Sequence, residues 1–515
     1  MEFAEFILAH DGDDLAALAL ARERYADFPA FDVALSTLEV RRKLRSKVPA
    51  WYAVPSLRYP LRLSGEQCSS EETARYKARV ALEACLPEQA GPSGVTLKAS
   101  SVTAGDLEAL ARNAMGLYRD ARGTAPRLAD LTGGLGVDSW AFAQCFGSVL
   151  YNEMRPELAA AAEANYAELG LGNVTVRNCT LVPGDARSEP GMTERSEPGM
   201  TERSEPGVSS PAGTPGKTVR EILGDFKPDI IYMDPARRAS DGRKVFRLED
   251  CRPDVLKLLQ ELLDACPLLL LKLSPMADIS LVCRQLGCVE AVHVVAADGE
   301  CKELLLLLRR GHEGPYSITI YENGSTASVS CGRDDVPESS LRDPSHYAVT
   351  CGNWLWAPPF PGEELIPPII PRGGYLPFGA AEGGHGFGNI TPASGAVLFE
   401  PGKALLKSGA FEWPCGFGLE KLGRHTHLYV GPEIPEELKA FGKTFRILEV
   451  LPLDKRSIKA IAARYPQAAV TARNIPLTSD ELRRKLGVKD GGSIHIFGVH
   501  ADAQHGNLLL ICRGA

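Results

Sequence analysis

Between residue 127 and about residue 310, short apolar runs alternate with stretches of helical spacing, and this alternation restricts the chain more than any other feature. Runs this short, bounded by turn residues, fit strands covered on both faces, so the pattern predicts an α/β parallel sheet with crossover helices. The expected strands are 127–131, 148–152, 174–177, 229–233 and 268–273. The segment ends differently. Residues 288–296 and 302–309 flank an Asp298-Gly299 turn and read as a hairpin.

The first strand runs into Asp130-Leu-Thr-Gly-Gly-Leu-Gly136. A glycine-rich strand-to-helix turn lets backbone N–H groups approach a ligand closely, which suits a nucleotide, although a purely structural turn has the same composition. Glu153, closing the second strand about 20 residues on, is placed to accept two ribose hydroxyls; the bland reading is a solvated acid at a helix start. The wholly apolar fourth strand is followed by Asp234-Pro-Ala-Arg237, where proline cannot extend the ladder and the chain must leave the carboxyl edge of the sheet. A carboxylate and free carbonyls there can orient a nucleophile. Arg237 and Arg238 suit a phosphate clamp or a surface salt bridge, while Lys272 and Ser274, ending the fifth strand, are expected to face the same crevice.

A length of 515 residues and 44% apolar composition allow several domains. Residues 1–120 read as a helical region; within it Ser69, three residues before Glu72, suggests a capping box opening a helix with Thr73, Tyr76 and Lys77 in its first turns. The α/β segment covers 121–312. It is interrupted by the repeat Ser188-Glu-Pro-Gly-Met-Thr-Glu-Arg195, which recurs at 196–203 and begins again at 204–207, so a disordered loop is expected over about 186–217. A Gly/Pro-rich connecting region spans 313–440, and a compact tail, 441–515, reads as helices on one face of a small mixed sheet.

The net charge of −8 gives no global footprint for nucleic acid. The tail is different: between 441 and 490 it carries eleven Lys or Arg, Arg483, Arg484 and Lys485 among them, against five acids. A shorter basic run is Arg41-Arg-Lys-Leu-Arg-Ser-Lys47. The acidic start and the shortness of apolar runs such as 304–308 argue against a signal peptide or a membrane span and for a cytoplasmic protein. Thirteen irregularly spaced cysteines without a C-x-x-C pair imply reduced thiols and no metal site.

Several segments together resemble the bacterial class I S-adenosylmethionine (SAM)-dependent methyltransferases bearing a THUMP-like C-terminal domain. They are Glu66-Gln-Cys-Ser-Ser-Glu71 with Thr73, Ala74, Tyr76 and Lys77; Asp130-Leu-Thr-Gly-Gly-Leu-Gly-Val-Asp138; Asp234-Pro-Ala-Arg-Arg238; Gly299-Glu-Cys-Lys-Glu303; and Asn474-Ile-Pro-Leu477 with Glu481-Leu-Arg-Arg-Lys485. The resemblance implies a Rossmann-like methyltransferase domain whose parallel sheet is closed by an antiparallel hairpin, a ferredoxin-like segment within 313–440, and a small α+β THUMP-like domain that binds structured RNA, tRNA or rRNA. It further implies that SAM is held by Asp130, Thr132, Gly133, Gly134, Gly136 and Glu153. Asp130 would match the methionine ammonium, and Asp185 would contact the adenine amine. The acceptor is presented by Asp234, Pro235, Ala236 and Arg237, with substrate contacts from Lys77, Arg238, Lys272, Ser274, Arg483, Arg484 and Lys485. Ala236 and Arg237 stand where amine methyltransferases carry a second proline and an aromatic that stacks on the flipped base. Carbon-5 chemistry needs a thiolate near these loops, and Ser274 and a helix-side Cys251 do not offer one. Open alternatives are methylation of a protein or small molecule, a non-catalytic RNA-binding protein of the same fold, and, last, a dehydrogenase.

Overall fold

The computed structural model describes residues 2–86, 125–184, 214–237, 247–314, 316–331, 354–356, 392–501 and 506–515. The expectations for Asp185, Arg238, the 188–207 repeat, the end of the helical region after residue 86 and much of the Gly/Pro-rich connecting region lie outside the described residues. The chain divides into two compact units, Met1–His293 with Lys302–Ser317, and Val294–Cys301 with Ile318–Ala515.

Strands β1 (Arg127–Asp130), β2 (Ser148–Asn152), β3 (Val174–Arg177), β4 (Ile230–Met233) and β5 (Leu268–Leu273) of the first unit, with β6 (Val289–Ala297) and β7 (Glu300–Arg309), whose residues 294–301 are counted with the second, run in the order β6-β7-β5-β4-β1-β2-β3. β1 to β5 pair in parallel and β7 is antiparallel to β5. Leu128, Ala129, Ile230, Ile231, Leu270 and Leu271 are fully buried, which is why these runs carry no polar alternation. Asp298 and Gly299, with φ of 53° and 73°, make the hairpin turn expected between β6 and β7. Because β2 and β4 flank β1, the chain leaves β1 in one direction for β2 and returns on the other side with β4. In sheets of this kind ligands bind at such a switch, outside the carboxyl ends of the strands, here β1, β2 and β4.

The N-terminal helices belong to this same unit. The helix Glu71–Cys85 packs on the helix Val137–Ala143, with the Arg75 guanidinium 4.9 Å from the centre of the Trp140 ring. Its cap differs from the expected one: Ser70, not Ser69, accepts the Thr73 N–H at 3.2 Å. Ser69 is engaged elsewhere. The basic run is equally engaged: Arg41 is buried against the Tyr52 ring at 4.1 Å, and Lys43 pairs with Glu66 at 2.5 Å. The expected loop over 186–217 ends early, because Gly216–Lys217 pairs in parallel with Thr180–Leu181.

In the second unit, β8 (Val397–Pro401), β9 (Glu420–Gly423), β10 (Thr426–Gly431), β11 (Gly442–Pro452), β12 (Ala469–Arg473), β13 (Ile494–Ala501) and β14 (Gly506–Gly514) form a sheet in the order β9-β10-β8-β11-β14-β13-β12. The helices Lys455–Arg464 and Ser479–Leu486 bury Ile461, Leu482 and Leu486 in one cluster with Ile496, Leu509 and Ile511. The two regions expected on either side of residue 440 share this sheet, since β8 pairs with β11 from Val397–Arg446 to Pro401–Gly442.

Candidate active site

The glycine loop after β1 is fixed from below by two tyrosines. A Cβ on Gly133 would overlap the Tyr151 ring, and one on Gly136, whose φ is 96°, would overlap the Tyr166 hydroxyl. Tyr151 donates to the Gly134 carbonyl at 2.6 Å and Tyr166 to the Gly136 carbonyl at 3.0 Å. Gly136 is therefore a buried packing position against Tyr166. Thr132, Gly133 and Gly134 remain partly exposed, and a Cβ on Gly134 would meet nothing closer than 3.9 Å, so this stretch has an open side.

Glu153 closes the loop from the end of β2. Its Oε2 accepts the Gly134 N–H at 2.9 Å and its Oε1 accepts the Arg155 N–H at 2.9 Å. Burial raises its pKa, and the N–H groups of Arg155 and Gly134 oppose the rise. Each oxygen retains a further lone pair, so the carboxylate can still accept from a diol. Asn152 ties the neighbouring segments together, its Nδ2 donating to the carbonyls of Leu131 and Cys179.

Asp130 is 1% exposed, and its oxygens are used within the loop: Oδ1 accepts the Thr132 N–H at 3.0 Å and Oδ2 the Ser139 hydroxyl at 2.6 Å. Burial pushes its pKa up to about 8 against those two hydrogen bonds. With both oxygens engaged and the side chain buried, Asp130 offers no exposed contact of the kind expected for an ammonium.

On the other side of β1, the chain turns out of β4 at Asp234. Its backbone N–H donates to Thr132 Oγ1 at 2.6 Å, so threonine, where a glycine is commoner in such loops, stitches the β1 loop to the β4 loop. Asp234 Oδ2 accepts from Lys272 Nζ at 2.6 Å. Pro235 is buried and Ala236 exposed; Ala236 and Arg237 form a short antiparallel pair with Cys251–Arg252. The Arg237 side chain lies outside the described residues. Cys251 is thus on a strand opposite Arg237, not on a helix side, yet at 1% exposure its thiol is withdrawn from a ligand.

Lys272 and Lys77 differ from their expected roles. Lys77 is wholly buried, donating to Ser69 Oγ at 2.9 Å and Glu303 Oε1 at 2.8 Å, with Asp138 Oδ1 at 3.2 Å. It is a buried ion-pair centre rather than a substrate contact. Lys272 lies between Asp234 and Glu303 Oε2, the latter at 3.7 Å. Burial works to lower its pKa, and the carboxylates of Asp234, Glu303 and Asp138 outweigh that, so the ammonium is held charged. Asp138 also accepts from Ser69 and, at 2.8 Å, from the Tyr232 hydroxyl. Burial would raise its pKa, but Lys77 and Lys272 bring it below the usual range. Asp138 and Glu303 were visible in the sequence only as members of the two glycine-bearing segments. Ser274 is half-buried and its Oγ accepts the Met276 N–H at 3.3 Å, a turn contact.

Arg483, Arg484 and Lys485 stand on the helix Ser479–Leu486 of the second unit. Arg483 pairs with Asp480 and Asp490 at 2.7 and 3.3 Å, while Arg484 and Lys485 are exposed, as are Lys455, Arg456, Lys459 and Lys489. Among the described residues no group of three or more His, Cys, Asp or Glu is arranged to hold a metal, and no helix is long and apolar enough to cross a membrane.

Comparison with known proteins gives the same picture. Residues 442–514 match a family model described as THUMP domain-like, and residues 398–438 match one described as a ferredoxin-like domain. The crystal structure of a candidate methyltransferase from Porphyromonas gingivalis W83 is similar at 25% identity and a TM-score of 0.63, over 100% of this chain and 97% of that one. A ribosomal protein L11 methylase from Lactobacillus delbrueckii subsp. bulgaricus aligns at 15% identity over 41% of this chain and 81% of that one, with a TM-score of 0.22. The T. Thermophilus 16S rRNA N2 G1207 methyltransferase aligns at 13% identity over 42% and 45%, with a TM-score of 0.23; at such scores neither bears on this chain. No curated protein matches the sequence. The chain thus has the class I methyltransferase fold, a parallel sheet closed by an antiparallel hairpin, and carries a THUMP-like C-terminal domain.

Proposed function

We propose that this protein is a SAM-dependent methyltransferase of structured RNA, tRNA or rRNA, working in the cytoplasm. One observation carries the reading. Acidic residues closing two strands on opposite sides of β1, Glu153 and Asp234, are both bonded to the same half-open loop, Glu153 through its carboxylate, which accepts the Gly134 N–H at 2.9 Å, and Asp234 through its backbone N–H, which donates to Thr132 Oγ1 at 2.6 Å. The donor set fits SAM. Glu153 has lone pairs for a ribose diol, Thr132 to Gly134 offer open backbone, and Asp130, whose pKa burial raises to about 8, can lose its proton behind the loop to match an ammonium. When bound, SAM supplies a methyl group on a sulfonium. The chain's own residues orient the acceptor. Asp234 accepts a hydrogen bond from an acceptor N–H and aims its lone pair at the methyl, which is catalysis mainly by positioning.

The exposed cations of the helices Lys455–Arg464 and Ser479–Leu486, with Lys489, suit a phosphate backbone, and their attraction should weaken steeply with salt. The experiment is mass spectrometry of nucleosides from RNA of cells lacking the gene beside their parent. Loss of one methylated nucleoside is expected. An unchanged nucleoside profile, with SAM bound by the purified protein, would move the acceptor to a protein or small molecule.

A further inference from the structure

Segments far apart in the sequence meet in one line of alternating charge behind the acceptor loop. Asp138, Lys77, Glu303, Lys272 and Asp234 follow one another at 3.2, 2.8, 3.7 and 2.6 Å. The side chains of Lys77 and Glu303 are 0% and 4% exposed, that of Lys272 13%; Asp234, at 34%, is where the line reaches the surface. Asp234 Oδ2 holds the Lys272 ammonium, while its Oδ1 has no hydrogen bond among the described residues.

We propose that Lys272 is a positioning residue for methyl transfer: anchored from behind by Glu303, it fixes the Asp234 carboxylate so that Oδ1 alone is presented to the acceptor. This rests on the methyltransferase reading above. An isolated surface lysine would swing with its partner. Lys272 cannot, because Glu303 is itself held by Lys77 from the helix Glu71–Cys85, and Lys77 is in turn paired with Asp138. The arrangement also explains why Ser69 is not the helix cap. Its hydroxyl lies between Lys77 and Asp138, at 2.9 and 3.0 Å, and completes the far end of the line. Lys272, a donor only, orders Asp234 without receiving the acceptor's proton.

The test compares the full-length wild type with Lys272→Met and Lys272→Arg, using methyl-labelled SAM and total RNA from cells lacking the gene, with SAM affinity from calorimetry. Lys272→Met leaves Glu303 paired with Lys77 and Asp234 in contact with water, so the variant keeps its fold, which thermal unfolding checks. Its kcat should fall at least about tenfold while KM for RNA and Kd for SAM stay within about twofold, with most of the loss recovered in Lys272→Arg. Wild-type turnover in Lys272→Met overturns the inference and leaves the methyltransferase reading standing; a wild type that binds no SAM overturns both. If the wild type binds SAM but does not methylate this RNA, the carboxyl ¹³C resonance of Asp234 decides. A shift of that resonance in both Lys272→Met and Glu303→Gln supports the inference, and an unmoved resonance overturns it.

Discussion

The two sides of the β1 loop are held by different means. On the β2 side, Glu153 is fixed by backbone N–H groups within 20 residues of it, those of Gly134 and Arg155. On the β4 side, Asp234 is fixed by Lys272, 38 residues on, and behind it by a line in which Lys77 and Glu303 are 226 residues apart. A backbone cradle depends on local turn geometry and survives side-chain change nearby. An ion-pair line depends on its most buried members, because loss of Lys77 removes the partner of Asp138 and of Glu303 together. The proposed cofactor side should therefore be lost by altering the loop itself, and the acceptor side by altering residues remote from it.

The largest effect is expected from Asp234→Ala, which should reduce transfer at least about a hundredfold while SAM affinity by calorimetry is unaltered; parallel loss of both would merge the two sides into one. Gly133→Ala forces a Cβ into the Tyr151 ring and should cost about 1–3 kcal/mol in urea unfolding, with SAM affinity reduced as well. Unchanged stability would mean that the tyrosine clamp is not what shapes the loop. Glu153→Ala removes the two carboxylate oxygens that accept the Gly134 and Arg155 N–H groups, and with them the diol partner, and should weaken SAM by about 1–3 kcal/mol with little effect on kcat at saturation. Thr132→Val deprives the Asp234 N–H of its acceptor; a loss of about 1 kcal/mol, read in kcat more than in Kd, is expected if the stitch serves the acceptor side.

The smallest effect concerns pH. Asp130, raised from 3.8 to about 8, keeps its proton in the folded state where the unfolded chain has lost it, so its contribution to stability falls as pH rises from about 4 through about 8. A cationic ligand near the loop favours the ionised form. SAM binding at pH 7 should then release a fraction of a proton, seen as buffer-dependent binding enthalpy that disappears in Asp130→Asn.

Much of the fold was legible because burial on both faces writes itself as unbroken apolar runs, and the runs at 229–233 and 268–273 became β4 and β5. The hairpin was legible from Asp298-Gly299, whose positive φ angles demand such residues. Glu153 and Asp234 were legible because each follows a strand directly. The roles of Lys77 and Lys272 were not. A lysine in sequence reads as exposed, and only the folded chain brings Glu303 and Asp138 close enough to keep these buried. The same holds for Ser69, whose spacing from Glu72 fits a cap that Ser70 supplies instead. Likewise β8 to β10 and β11 to β14 read as separate regions, because pairing of β8 with β11 leaves no local mark.

If the β1 loop, Glu153 and Asp234 share a single pocket, a crystal structure of the protein with S-adenosylhomocysteine will show it. The prediction is a ribose within hydrogen-bonding distance of Glu153, backbone contacts from Thr132 to Gly134, and the sulfur turned toward Asp234. A nucleoside bound elsewhere, or one lying against Glu153 with its sulfur turned away from Asp234, would contradict it.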